Sequence, residues 1–214
     1  MTQAAFARRA RAHLRRVDPV LAKVIDSVGP YRPRDGTGGG SPHFLALIRS
    51  IVYQQLSGKA AATIHSRLLA LYPGNEPTPA DLLATSDVQL RAAGLSRQKV
   101  EYLRDLAGRI HAGDLPLDHV ETLDDTALIE HLVQVKGIGR WTAQMFLMFK
   151  LGRPDVLPEL DLGIQNAIKR AYRKRKVAPK DVLRIGAKWS PYSSIACWYL
   201  WRSLDNGGGQ LGAE

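Results

Sequence analysis

Two glycines one residue apart stand in the run Leu132-Val133-Gln134-Val135-Lys136-Gly137-Ile138-Gly139-Arg140-Trp141-Thr142-Ala143, between two stretches of helical apolar spacing. Glycine adopts backbone torsions closed to other residues, so Gly-Ile-Gly can turn the chain sharply and leave main-chain amides at the next helix start pointing outward. Such amides, with the positive end of the helix dipole behind them, hold an anion such as a phosphate. That contact docks a phosphate backbone and reads no base. The same spacing also makes an ordinary tight turn, and from this segment alone both readings stand.

Asp161 precedes the apolar-periodic stretch Leu162 to Tyr172, the position of a helix N-cap. Tyr53, Trp141 and Trp201 fall at helical spacing, where aromatic side chains are ordinarily core. Lys169, Arg170, Arg173, Lys174, Arg175, Lys176, Lys180 and Arg184 crowd the chain after Asp161 and form either a path for a polyanion or a solvated face. The cluster Arg8, Arg9, Arg11, Arg15 and Arg16 is read as non-specific. The single cysteine, Cys197, excludes an intrachain disulfide and any four-cysteine zinc or iron–sulfur site. It lies in the apolar run Ile195 to Leu200 and reads as a buried thiol without chemistry. No histidines pair at metal-ligand spacing, so no catalytic metal is expected.

The elements that must position these residues are helices. Most segments repeat apolar residues at three and four, with Pro and Gly between them and Ser, Thr or Asp where helices begin, which predicts an all-α fold. Expected helices run from about Thr2 to Val28 with a break near Asp18-Pro19, His43 to Leu56, Gly58 to Leu71, Pro79 to Thr85, Ser86 to Ala92, Ser96 to Ala112, Asp124 to Val133, Arg140 to Lys150, Leu162 to Tyr172, Pro179 to Trp189 and Pro191 to Leu204. Tyr31 to Pro42 reads as an exposed loop with nothing to pack in a core, and 206–214 as a flexible Gly-rich tail. The 214 residues, 45% hydrophobic, suit one compact unit or two small lobes. Thirty Lys and Arg against twenty Asp and Glu give +10, a balance suited to nucleic acid, to an anionic surface or to plain solubility. No stretch approaches the ~20 apolar residues of a membrane span, and the N-terminus lacks the apolar centre of a signal peptide, so a cytoplasmic protein is expected, nuclear in a eukaryote.

With its surroundings the Gly-Ile-Gly turn resembles the helix-hairpin-helix DNA glycosylase superfamily, in which a Gly/Pro-rich loop and an aspartate follow the hairpin. Here these are Gly152-Arg153-Pro154-Asp155-Val156-Leu157-Pro158-Glu159-Leu160-Asp161-Leu162-Gly163-Ile164. The likeness extends to Gln54-Gln55-Leu56-Ser57 and to Trp189-Ser190-Pro191-Tyr192-Ser193, covering roughly Phe44 to Trp201. Within the superfamily the chain is most similar to 3-methyladenine glycosylases of the bacterial AlkA and yeast Mag type. Relatives that also cut the backbone carry a lysine where this chain has Trp141, and one cysteine cannot make the iron–sulfur loop of other relatives. The large N-terminal β-domain of the AlkA proteins has no counterpart in these residues, which favours the shorter Mag-like form as the comparison. Leu160 replaces the first acid of the family's Pro-x-Asp-Asp, and Met145 stands where AlkA proteins place a pocket tyrosine.

The resemblance implies a two-lobed helical domain over 1–205, with 45–150 as the central lobe, 1–44 and 151–205 as the other, and a cleft between them. It implies a monofunctional, monomeric enzyme that removes alkylated bases from duplex DNA. Asp161 takes the place of the catalytic carboxylate, and Trp141, Trp201, Tyr53 and Met145 the base pocket. Gly137, Ile138, Gly139, Arg140, Thr142, Gln54, Gln55, Ser57 and Lys99 are expected at DNA, with Leu95 or Arg97 as the wedge that fills the emptied stack; a capped helix start with solvated basic residues is the other reading of that loop. Carbonyls of Val133, Val135 and Ile138 are candidates for a structural Na+ or K+; no other cofactor and no membrane partner are expected. Alternatives from the same residues are a glycosylase for deaminated or oxidised bases and a non-catalytic DNA-binding or damage-sensing module.

Overall fold

The computed structural model describes residues 2–32, 42–115 and 117–205. Among these every regular element is a helix. The chain divides into two compact units, one of Met1–Thr37 with Leu147–Ala213 and the other Gly38–Phe146. The first begins with α1 (Gln3–Val17) and α2 (Pro19–Val28). Asp18 makes the expected break: its backbone is extended, it ends α1, and its carboxylate caps α2 by accepting from the Val20 and Leu21 amides at 3.0 and 3.1 Å. Pro19 at the first helical position gives up no hydrogen bond by lacking its N–H.

The second unit holds α3 (His43–Tyr53), α4 (Gly58–Leu69), α5 (Pro79–Ala84), α6 (Asp87–Ala92), α7 (Arg97–Ala112), α8 (Asp125–Leu132) and α9 (Arg140–Met145), and a π-helical turn at Phe146–Lys150 takes the chain on into the first unit. Ser57, Thr78, Ser86, Ser96 and Asp124 cap α4 to α8 in turn, as the sequence predicts. Leu47, Ile48, Ile51, Leu82, Leu90, Leu103, Leu106 and Leu128 are wholly buried. Burial of each such side chain stabilises by about 1.5–3 kcal/mol. Arg104 of α7 donates to the Leu83 and Thr85 carbonyls and to Asp87, fastening the α5–α6 corner to α7.

The first unit is completed by α10 (Leu162–Ala171), α11 (Pro179–Gly186) and α12 (Ser193–Asp205), with α12 packed on α2 and α10. Leu14, Leu21, Ile25, Ile164, Ile168, Trp189, Tyr199 and Leu200 form its fully buried core. Tyr31 corrects the expectation that nothing in the Tyr31–Pro42 loop packs. Its ring meets Trp198 edge-on at 4.9 Å and lies 6.3 Å from Tyr199, and burial pushes its phenol pKa up. The Gly36–Gly40 stretch and the 206–214 tail lie outside the described residues. No described helix is long and apolar enough to cross a membrane.

Candidate active site

The hairpin in the 38–146 unit is braced from three sides. Gly137 has φ +81°, and a Cβ there would lie 2.1 Å from the Tyr102 ring, so its backbone rests directly on that aromatic face. The Gln54 side-chain amide donates to the Gly137 carbonyl at 2.8 Å, and the Lys136 amide donates to Asp105 at 2.9 Å. Ile138 is buried, and its amide closes the turn onto the Val135 carbonyl at 3.0 Å. Gly139 differs: it is exposed, has φ −86°, and a Cβ on it would meet nothing within 4 Å. No contact within the protein calls for glycine there, which leaves the position open to an approaching ligand. Gly139 and exposed Arg140 therefore form the accessible tip of the turn, where the first amides of α9 lack intrahelical acceptors.

Along α9, Trp141 and Met145 are four residues apart and share a helix face. Trp141 is 44% exposed, a large aromatic surface facing away from the core. Thr142 is the reverse: its side chain is buried, so a contribution to ligand binding would have to come through its backbone. Tyr53, at the end of α3, has the Arg49 guanidinium 4.0 Å over its ring and the His65 ring at 6.0 Å, so one aromatic face is already occupied.

Several expected DNA-contact residues have work inside the unit. The Lys99 ammonium donates to the Val52 and Gln54 carbonyls at 2.6 and 2.9 Å, closing the end of α3, and burial lowers its pKa. It is a brace for the 53–57 turn rather than a free cation. α3 stops at Tyr53 instead of Leu56 because Gln54 turns extended and exposed Gln55 enters the left-handed region at φ +58°. Ser57 caps α4. Leu95 is only 2% exposed and belongs to the core, which removes it as a wedge; Arg97, exposed at the first position of α7, remains.

In the other unit Asp161 is 8% exposed and caps α10. Its Oδ1 accepts from the Ile164 amide at 2.7 Å and from the Trp201 indole Nε1–H at 2.9 Å. Trp201, reading as a pocket wall in sequence, thus touches the carboxylate itself, and its ring lies 5.8 Å from that of Phe149. The loop leading to Asp161 is tied to the start of α12. Asp155 accepts from the Ser190 hydroxyl at 2.6 Å, the Ser193 hydroxyl at 2.5 Å and the Ser193 amide at 3.0 Å. The Ser194 hydroxyl donates to the Arg153 carbonyl at 2.7 Å and accepts from the Val156 amide at 3.0 Å. The sequence does not assign Asp155 a role; an acid in a Gly/Pro loop and three serines around a helix start are the available signal. Cys197, one turn before Trp201, is fully buried, and burial with the nearby charges of Asp161 and Asp155 pushes its thiol well up, so it is inert at neutral pH.

A carboxylate held in one orientation by two N–H donors is suited to stabilising positive charge developing on a bound reactant. Comparison with known proteins places these features in a family. The model of the HhH-GPD superfamily of base excision DNA repair proteins matches residues 48–191. DNA-3-methyladenine glycosylase 1 of Schizosaccharomyces pombe is 36% identical over 198 residues, 91% of this chain and 86% of its own length. The solved structure of an S. pombe 3-methyladenine DNA glycosylase in complex with abasic DNA matches with a TM-score of 0.79 and 35% identity, covering 91% of this chain and 95% of that one. A DNA-3-methyladenine glycosidase from Bacillus halodurans matches with a TM-score of 0.80 and 39% identity, over 89% and 87% of the two chains. The chain with the braced Gly137–Gly139 hairpin and the capped, indole-bonded Asp161 belongs to the HhH-GPD superfamily of base excision DNA repair proteins.

Proposed function

We propose that this protein is a monofunctional DNA-3-methyladenine glycosylase that takes an alkylated base out of duplex DNA and hydrolyses its N-glycosidic bond. The observation that carries the reading is Asp161, nearly buried, capping α10, and held by two donors on one oxygen. A base stacked in a duplex is out of reach of such a carboxylate, so the nucleotide must be flipped. The bond from the sugar C1′ to the base nitrogen then breaks with its electron pair going to the base. Positive charge grows on the deoxyribose, and the Asp161 carboxylate stabilises it. Water adds at C1′ and loses its proton, giving free base and an abasic site. A 3-methyladenine or 7-methylguanine is cationic in DNA and leaves as a neutral base, so no strong general acid is needed. Trp141 offers an aromatic face on which such a cation gains roughly 0.5–2 kcal/mol. The S. pombe relative solved with abasic DNA, the product of this reaction, supports the reading.

Backbone docking falls to the hairpin tip, with the Gly139 amide and its neighbours toward a phosphate. A monovalent cation on the Val133, Val135 and Ile138 carbonyls would add positive charge there. The Val135 carbonyl already accepts the Ile138 amide and keeps a second lone pair, which fits a weak oxygen-ligand set. Trp141 at the position of the bifunctional relatives' lysine offers no amine for a Schiff base, so the strand stays intact.

The direct test is incubation of the protein with methylated duplex DNA. Free 3-methyladenine and alkali-labile abasic sites are expected, with no strand cleavage before alkali. Absence of released base, or nicking without alkali, overturns the assignment. The two hairpin glycines give a second expectation. Gly137→Ala should destabilise the 38–146 unit through its positive φ and the Tyr102 contact, seen as a lower melting temperature. Gly139→Ala should leave the melting temperature nearly unchanged, since glycine and alanine differ little in packing there, and weaken duplex binding roughly tenfold, the worth of one hydrogen bond to a charged partner. Equal binding by Gly139→Ala and wild type would place the phosphate elsewhere.

A further inference from the structure

Gly163 is the second residue of α10, and its φ lies outside the left-handed region, so its backbone does not call for glycine. Glycine in a helix is the less stable choice beside alanine. Its neighbours supply the reason. A Cβ at Gly163 would lie 3.0 Å from Asp161 Oδ1, 3.0 Å from Trp201 Cδ1 and 3.1 Å from Trp201 Nε1, closer than side-chain contacts normally come. The missing methyl is thus the clearance through which the indole reaches the carboxylate. The Trp201 ring is backed by Phe149 at 5.8 Å with the planes tilted by 32°. It is carried on α12, whose first turn is anchored by Asp155 to the loop that ends at Asp161. The helix cap alone fixes Asp161 at one point; the indole, from a different helix, adds a second.

We propose that Trp201 is a positioning residue for base excision, its indole N–H fixing the Asp161 carboxylate, and that Gly163 is the residue that lets the indole come close enough to do so. The proposal rests on Asp161 being the catalytic carboxylate, and it gives Trp201 a task different from walling a base pocket. A phenylalanine keeps an aromatic wall and deletes the donor. An alanine at 163 keeps the donor and displaces it by a few tenths of an ångström.

The experiment measures single-turnover excision of 3-methyladenine at saturating enzyme for Trp201→Phe, Gly163→Ala and the double variant, with affinity for an abasic-site duplex and melting temperature alongside. Each single variant should slow excision roughly 10- to 100-fold, the worth of one hydrogen bond to a charged group. Affinity for the abasic duplex should stay within about twofold, since that ligand has no base to stack. The double variant should be no slower than the slower single one, because both changes remove the same contact. Excision by Trp201→Phe within twofold of wild type, or losses that multiply in the double variant, overturns the proposal while the glycosylase reading stands. Should Trp201→Phe fail to fold, Gly163→Ala decides: a wild-type rate there overturns it as well. No release by the wild type overturns the underlying reading and this proposal with it.

Discussion

Asp161→Asn should lower the rate of 3-methyladenine release by about 10²–10³-fold, the usual cost of removing one preorganised electrostatic partner of a transition state. The variant is informative because so little else changes. Asparagine is as good a helix cap as aspartate, and its carbonyl oxygen can take the same two donors, the Ile164 amide and the Trp201 indole. Shape, cap and indole contact persist while the negative charge is lost. The melting temperature and the affinity for methylated duplex should therefore stay close to wild type. Single-turnover excision and duplex binding measured together check this. A variant that binds normally and excises within tenfold of wild type would mean that the charge of Asp161 does not drive bond cleavage. A variant that loses rate and stability together would mean that the negative charge of Asp161 also holds the fold, so that the loss of rate is not a loss of transition-state stabilisation alone.

Helix positions and caps were legible because they depend on local rules. Ser57, Thr78, Ser86, Ser96 and Asp124 each precede an apolar-periodic run, and each accepts a hydrogen bond from the first turn of its helix. The hairpin was legible as a turn for the same reason. What its neighbours do was not. Gln54 and Lys99 are polar residues near a suspected docking loop, and from sequence that suggests contact with ligand. In the fold Gln54 holds the Gly137 carbonyl and Lys99 holds two carbonyls at the end of α3, contacts made across long sequence separations. Leu95 shows the same limit: a leucine in a tight loop can point in or out, and the packing of its unit buries it. Trp201 and Asp155 act on partners 40 and 38 residues away, at distances along the chain over which no periodicity reports. The core contact of Tyr31 is hidden in the sequence by surroundings rich in Gly and Pro, although one aromatic ring is enough to find Trp198.

Asp18→Ala should be the most destabilising single substitution away from the site, by about 3–4 kcal/mol, because it removes one member of a buried charged network. Asp18 is fully buried. Besides the Val20 and Leu21 amides it accepts from the Trp189 indole at 2.8 Å and from the Tyr172 hydroxyl, and the Lys188 ammonium lies 3.2 Å away. The residue thus joins the α1–α2 corner to the end of α10 and the turn after α11. Burial alone would raise its pKa, but the hydrogen bonds from Tyr172, Trp189, Leu21 and Lys188 together outweigh burial and hold it below the ordinary 3.8. A carboxyl whose pKa is lower folded than unfolded stabilises the fold at pH above the unfolded value. That contribution disappears as the pH falls from there through the folded value. Thermal unfolding should therefore show a large deficit for Asp18→Ala at neutral pH, narrowing as the solution is made acidic below pH ~4. Asp18→Asn separates charge from shape. Its oxygen can cap α2, but its NH2 then faces the Trp189 N–H, a donor against a donor, so most of the loss should remain. If Asp18→Asn melts like wild type at neutral pH, the carboxylate charge contributes little and Asp18 acts only as a helix cap.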